Sequence, residues 1–276
     1  MGMVVVKSMG GLGNQLFQYA LYRNLLEKGK DVYCDLEWHY HPDNDYWYEY
    51  QLKDLGLNVK EIGRAEYTVN KEKGDGKPDI GYYKETNFHH FDPKVMQTDD
   101  VYLSGYWQNL DYFKDVGELI KKEITFPEST LEMRKVEKKI ETCNSVALHI
   151  RRNDYVHEDF DKVCSIDYYE KAISFIKKNV KSPIFYIFTN KPEWVKENIR
   201  FETEYELVDL NDRYQGIYDM KLISECKHNI ISNSTFSWWG AYLNRNKDKT
   251  VIAPGNWDTR LNEDARGLIP TEWVRI

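Results

Sequence analysis

Short apolar runs alternate with longer stretches of helical periodicity along most of this chain. Met3 to Val6 is an unbroken apolar run that passes through Lys7-Ser8 into glycines, the pattern of a buried first strand. Apolar positions from Leu16 to Glu27, closed by Gly29, predict a helix over about 14–28, and Asp31 to Asp35 reads as a second strand. Trp38 to Tyr50 is irregular and dense in aromatics, and the charged, Gly-containing stretch 70–81 reads as an exposed loop. Val101 to Leu103 is a strand, a helical pattern runs from about Asp111 to Glu123, and Pro127 ends this half. The highly charged helical segment 130–141 is a candidate linker.

Beyond it the alternation becomes regular. Strands are predicted at Ser145–Ile150, Ile184–Phe188, Tyr205–Val208, Ile230–Ser232 and Thr250–Ala253. Helices fall between them at Asp167–Asn179, from Pro192, at Tyr218–Cys226 and after Ser232. Alternating βα units give a parallel sheet with helices on both faces. The expected architecture is therefore α/β, with two Rossmann-type parallel-sheet domains over 1–128 and 129–256 and a C-terminal tail over 257–276. Two such domains facing a central cleft would suit a two-substrate reaction.

Three stretches carry candidate chemistry. His149-Ile150-Arg151-Arg152-Asn153-Asp154-Tyr155 begins where a buried strand empties into a loop. Ligands of open α/β sheets bind beyond the carboxyl ends of strands, and paired guanidinium forks there suit a diphosphate. An Arg–Asp ion pair explains Arg-Arg-x-Asp alone equally well. From His228 to Leu243 the chain reads as strand, polar turn and helix, with Asn233, Ser234, Thr235 and Ser237 within five positions. One such residue is enough for an N-cap; four mark a turn equipped for an anion at a helix N-terminus. Trp238, Trp239 and Tyr242 are expected to pack that helix on its sheet. Gly10-Gly11-Leu12-Gly13-Asn14-Gln15 follows the first strand, so the backbone at Gly11, Gly13 and Asn14 could approach a phosphate, although a ligand-free βα turn fits as well. It is not the dinucleotide fingerprint, because Leu16 stands where the last glycine belongs.

Composition narrows the classes. The 276 residues are 41% hydrophobic and 30% charged, ordinary for a soluble globular protein. A net charge of −7 argues against a nucleic-acid partner. No apolar run approaches the roughly 18 residues of a membrane span, and the N-terminal run is too short for a signal peptide. Cys34, Cys143, Cys164 and Cys226 are scattered without a C-x-x-C pair, as expected for reduced thiols in a cytoplasm.

Taken together, the three motifs resemble the α-1,2-fucosyltransferase family, glycosyltransferase family 11, in matching order and spacing from about residue 3 to 256. The resemblance implies the GT-B fold, GDP-fucose as donor substrate, and an inverting, metal-independent transfer of L-fucose to a galactose-terminated glycan or glycolipid. No cofactor is expected. The departing diphosphate gains negative charge, which arginines and a helix dipole can neutralise in place of Mg²⁺. Arg151 and Arg152 are the expected clamp, with Asn233, Ser234, Thr235 and Ser237 completing the anion site; His149 is a candidate contact to the nucleoside, a satisfied core histidine being the alternative. By analogy with related enzymes Asp219 would accept from the guanine edge, a helix N-cap or first-turn acid being the alternative. Asp154 is the candidate base or else orients Arg152 through an ion pair, with Glu158 and Asp159 as rivals for the base. Trp38, Tyr40, Trp47 and Tyr48 are candidates for an acceptor surface, a packed loop core being the alternative. Asp43-Asn44-Asp45 and Asp159-Phe160-Asp161 match D-x-D by chance in an Asp-rich chain, and His39, His41, His89 and His90 lack companions at ligand spacing. One family stretch departs: Thr189-Asn190-Lys191 stands where members show Ser-Asp-Asp, and no role is assigned to it. The rival classes are a nucleotide-binding Rossmann protein of another kind and a glycan-binding module without transfer activity.

Overall fold

A five-stranded parallel sheet organises the N-terminal half and a six-stranded parallel sheet the C-terminal half. The computed structural model describes residues 2–41, 49–70, 78–152, 163–210, 216–257, 265 and 267–276. The chain divides into two compact units, Met1–Thr125 and Phe126–Ile276.

The first unit runs β1 (Met3–Lys7), α1 (Leu12–Glu27), β2 (Asp31–Asp35), α2 (Glu37–Tyr40), β3 (Thr68–Val69), β4 (Asp79–Lys84), α3 (Pro93–Gln97), β5 (Val101–Ser104) and α4 (Gly117–Glu123), with sheet order β2-β1-β5-β4-β3. Val4, Val5 and Val6 are sealed on both faces, as an unbroken apolar run requires. Most of α1 is buried as well, including Gln15, Gln18 and Asn24. Those amides are satisfied: Gln15 donates to the Gly10 and Glu49 carbonyls, Gln18 to Gly105, and Asn24 to Tyr112. Gly10 sits at φ 80, and a Cβ there would lie 2.7 Å from Asn14 Nδ2, so the turn into α1 requires glycine. Two expectations fail here. The end of the supposed loop 70–81 opens β4, whose alternation is hard to see because Ile80 is its single buried residue. The helix expected over 111–123 is a 3₁₀ turn at Leu110–Tyr112 followed by the shorter α4.

The second unit runs α5 (Leu131–Thr142), β6 (Asn144–Ile150), α6 (Ile166–Asn179), β7 (Pro183–Thr189), α7 (Pro192–Asn198), β8 (Tyr205–Leu207), α8 (Gly216–Glu225), β9 (His228–Ile230), α9 (Thr235–Leu243), β10 (Val251–Ala253) and β11 (Val274–Arg275). The sheet order is β11-β10-β9-β6-β7-β8. Counting from β6, this is the 3-2-1-4-5-6 order of a doubly wound nucleotide-binding sheet. Period-2 alternation divides its core. Val146, Leu148 and Ile150 of β6, with Phe185 and Ile187 of β7, join a cluster that includes Tyr169 and Ile173 of α6. Ala147, Tyr186 and Phe188 turn the other way, toward Leu222 and Ile223 of α8 and Met133, Val136 and Ile140 of α5. The segment expected as a linker is therefore a capped core helix; Thr130 Oγ1 accepts the Met133 amide at 3.3 Å, and three apolar residues at helical spacing outweigh its charged outer face. The expected tail also differs. Val274–Arg275 pairs with β10, and Leu268, Ile269 and Trp273 are buried, so the closing residues complete the sheet.

Candidate functional site

The candidate site of the second unit forms where β6 and β9 part. Their pairing ends at Leu148 opposite Ile230, and beyond that pair the chain winds away to opposite sides of the sheet. Such a switch point leaves a crevice at the strand ends, where ligands of open α/β sheets bind. Two consecutive tyrosines of α6 brace it from below. Tyr169 donates its hydroxyl to the His149 carbonyl at 3.1 Å, and Tyr168 donates to the Ile231 carbonyl at 2.6 Å. Burial pushes both phenols well above their ordinary pKa, so they remain donors.

His149 spans the crevice. Its Nδ1 lies 2.9 Å from Ser232 Oγ, and its ring is 5.5 Å from that of Phe236. Burial first, and the Arg151 charge second, push its pKa down to about 3. The imidazole is neutral at physiological pH, so one nitrogen donates and the other accepts. Ser232 Oγ in turn lies 3.5 Å from Ser237 Oγ, which donates to the Ser234 carbonyl at 3.3 Å.

Arg151 and Arg152 leave β6 half-buried. Among the described residues no hydrogen bond ties down the Arg151 guanidinium. Arg152 is held from the connection after β7 and from α7: Asn190 bonds its backbone, and its guanidinium carbon sits 3.8 Å from the Trp194 ring centroid. Across the crevice, α9 begins at Thr235 with Ser234 as N-cap, whose side chain makes no capping hydrogen bond. The Ser234 amide donates to the Ser232 carbonyl at 2.8 Å, and Asn233 Nδ2 reaches the Trp257 carbonyl at 3.4 Å. Two permanent cations therefore share the end of this sheet with the positive pole of a helix. That combination suits a ligand with two or more negative charges.

Of the predicted residues, His149, Arg151, Arg152, Asn233, Ser234 and Thr235 gather at these strand ends. Ser237 is fully buried and its hydroxyl is spent inside the turn, so its role is to shape the site rather than to line it. Asp219 is half-buried in the first turn of α8. Trp238 and Trp239 are fully buried, as expected, and Trp238 Nε1 donates to the Leu268 carbonyl at 3.0 Å. The four cysteines are free thiols. Asp154, Glu158, Asp159 and Asp161 lie outside the described residues, as do Asp43, Asp45, Trp47 and Tyr48.

The remaining candidates belong to the first unit. Gly11 is the N-cap of α1, and Gly13 is buried in the helix's first turn. Asn14 Oδ1 accepts from Gln108 Nε2 at 3.0 Å, which ties the β1 turn to the loop after β5. Gln15 and Gln18 add further ties, so much of the glycine motif serves to knit strand ends together. Trp38 is half-buried in α2, and Tyr40 beside it is 64% exposed. His39 Nε2 lies 3.0 Å from Ser8 Oγ. Among the described residues no three His, Cys, Asp or Glu side chains converge as a metal site would need.

Sequence reasoning missed Ser232, Tyr168, Tyr169, Asn190 and Trp194. Each acts on a partner remote in the chain, and only the adjacent tyrosines at the start of a helix carried any signal.

A family model described as Glycosyl transferase family 11 matches residues 80–276. An alpha-1,2-colitosyltransferase of Escherichia coli is 30% identical, the match covering 100% of this chain and 99% of that protein. A galactoside alpha-(1,2)-fucosyltransferase 2 of Hylobates lar is 26% identical over 88% of this chain and 69% of the relative. Among solved structures, the fucosyltransferase NodZ from Bradyrhizobium shows a TM-score of 0.49 at 12% identity, covering 87% of this chain and 92% of that one.

Proposed function

The chain belongs to glycosyl transferase family 11, and on that premise we propose that it moves L-fucose from GDP-β-L-fucose to the 2-hydroxyl of a galactoside. The observation that carries this reading is the pair Arg151–Arg152 at the switch point of a sheet in nucleotide-binding order, beside the N-terminus of α9. In the proposed reaction the bond from fucose C1 to the β-phosphate breaks as the acceptor oxygen attacks from the opposite face, which turns a β-linked donor into an α-linked product. Charge grows on the departing diphosphate, and Arg151 and Arg152 meet it with permanent positive charge. Because the chain supplies these cations itself, the proposed transfer needs no metal. The acceptor proton goes to a carboxylate or a water, and Asp154 remains the candidate for that role. In this account His149 and Asp219 serve the nucleoside, and Trp38 and Tyr40 are the candidates for contact with the acceptor.

The dispersed free thiols support a cytoplasmic setting. Among the described residues no helix is long and apolar enough to cross a membrane.

The test is transfer from GDP-fucose to a β-galactoside in excess EDTA and with added Mg²⁺, with the linkage read by NMR. The account expects an α-1,2 product at equal rates in both. Absence of transfer overturns it, and activity that depends on metal overturns its metal-independent form. The end-to-end match to a protein named alpha-1,2-colitosyltransferase favours a second reading, in which the donor sugar is colitose, the 3-deoxy counterpart of fucose. GDP-colitose in the same assay decides between the two.

A further inference from the structure

Asn190, immediately beyond β7, grips the main chain of Arg152 from both sides. Its Oδ1 accepts the Arg152 amide at 3.0 Å, and its Nδ2 donates to the Arg152 carbonyl at 2.6 Å. A primary amide offers a donor and an acceptor on one planar group, so it can satisfy both backbone groups at once. An aspartate could take the amide but would set an oxygen against the carbonyl. Four residues on, Trp194 in the first turn of α7 lays its ring 3.8 Å from the Arg152 guanidinium carbon. Trp194 is itself packed against the core beneath α6 and α7. One short connection thus holds Arg152 at its backbone and at its head. A free arginine side chain loses considerable rotamer freedom when it is immobilised, and an arginine already held loses less on binding a ligand.

We infer that Asn190 and Trp194 are positioning residues for Arg152, setting the guanidinium for a nucleoside diphosphate without touching it themselves. This rests on the donor-site reading given above, and it assigns a role to the Thr189-Asn190-Lys191 connection. Asn190 acts through the register of the Arg152 backbone, and Trp194 acts through the plane of its guanidinium.

Calorimetric titration of the full chain with GDP tests the inference in wild type, Asn190→Ala, Asn190→Asp, Arg152→Ala and the Asn190→Ala/Arg152→Ala pair. Loss of both hydrogen bonds should weaken GDP binding about tenfold, and Asn190→Asp should weaken it at least as much. In the Arg152→Ala background, Asn190→Ala should cost nothing further, because the group it positions is gone. An equal loss in both backgrounds, or unchanged affinity in Asn190→Ala, overturns the inference while leaving the donor site standing. Wild-type protein that ignores GDP overturns the donor-site reading and this inference with it. A readout that needs no ligand is the Arg152 Nε–H resonance, which the Trp194 ring current should displace and which Asn190→Ala should return toward the value of a free arginine. Should Asn190→Ala fail to fold, Trp194→Phe and Trp194→Leu replace it. Phenylalanine should keep most of the displacement and the affinity, leucine should lose both, and identical behaviour of the two overturns the inference.

Discussion

Acidifying the protein from neutral pH should cost it stability through one buried histidine. His149 is 5% exposed, lies 2.9 Å from Ser232 Oγ, and has its pKa pushed from 6.5 to about 3, by burial first and by Arg151 second. Well above pH 6.5 the imidazole is neutral whether the chain is folded or not, so the contribution there is flat. Below that value the unfolded chain takes up a proton that the folded one refuses. Stability therefore falls as pH falls, by up to about 1.4 kcal/mol per unit, until the folded imidazole protonates near pH 3. Between pH 7 and pH 5 the loss amounts to about 2 kcal/mol. Carboxylates titrate over the same range, so the quantity to follow is the difference between wild type and His149→Gln, measured by urea unfolding with tryptophan fluorescence at several pH values. That difference should shrink by about 2 kcal/mol between pH 7 and pH 5. A difference that stays constant, or an imidazole nitrogen that titrates near 6.5 in the folded protein, would refute the reasoning.

Three further substitutions probe the same unit. At Gly240 an added Cβ would lie 2.5 Å from Ile223 Cγ2, so Gly240→Ala should separate α8 from α9 at a cost of about 1–3 kcal/mol. A thermal melt should show the drop, and an unchanged midpoint contradicts the packing. Arg151→Lys and Arg152→Lys keep the charge but lose the fork, so each should weaken GDP binding by about 1–3 kcal/mol in calorimetry; wild-type affinity in both would show the pair to be structural.

Much of the second unit was legible because its strands are buried on both faces. Residues such as Val146, Leu148, Phe185 and Ile187 make continuous apolar runs, and α6 between β6 and β7 is amphipathic and capped by Ser165. The motif residues at the ends of β6 and β9 were legible for a related reason: arginines, amides and hydroxyls crowd just where an apolar run stops. Elements too short to show a period stayed hidden. β11 has two residues, and β4 buries only Ile80. Segment 130–141 misled because the charge on its outer face dominates the three residues that pack. The supports of the site were hidden by distance along the chain. Ser232 is 83 residues from His149, and Asn190 is 38 from Arg152, so neither partnership leaves a local pattern. The glycine motif shows the converse, since Gln15 and Gln18 turned out to spend their amides on strand ends.

The central claim is that the crevice between β6 and β9 takes the diphosphate of a guanine nucleotide. Calorimetric titration of the wild-type chain with GDP, with NAD and with a galactoside free of nucleotide tests it most directly. The account predicts that GDP binds alone and that NAD and the galactoside do not. Binding of NAD, or of the galactoside in the absence of GDP, would contradict it.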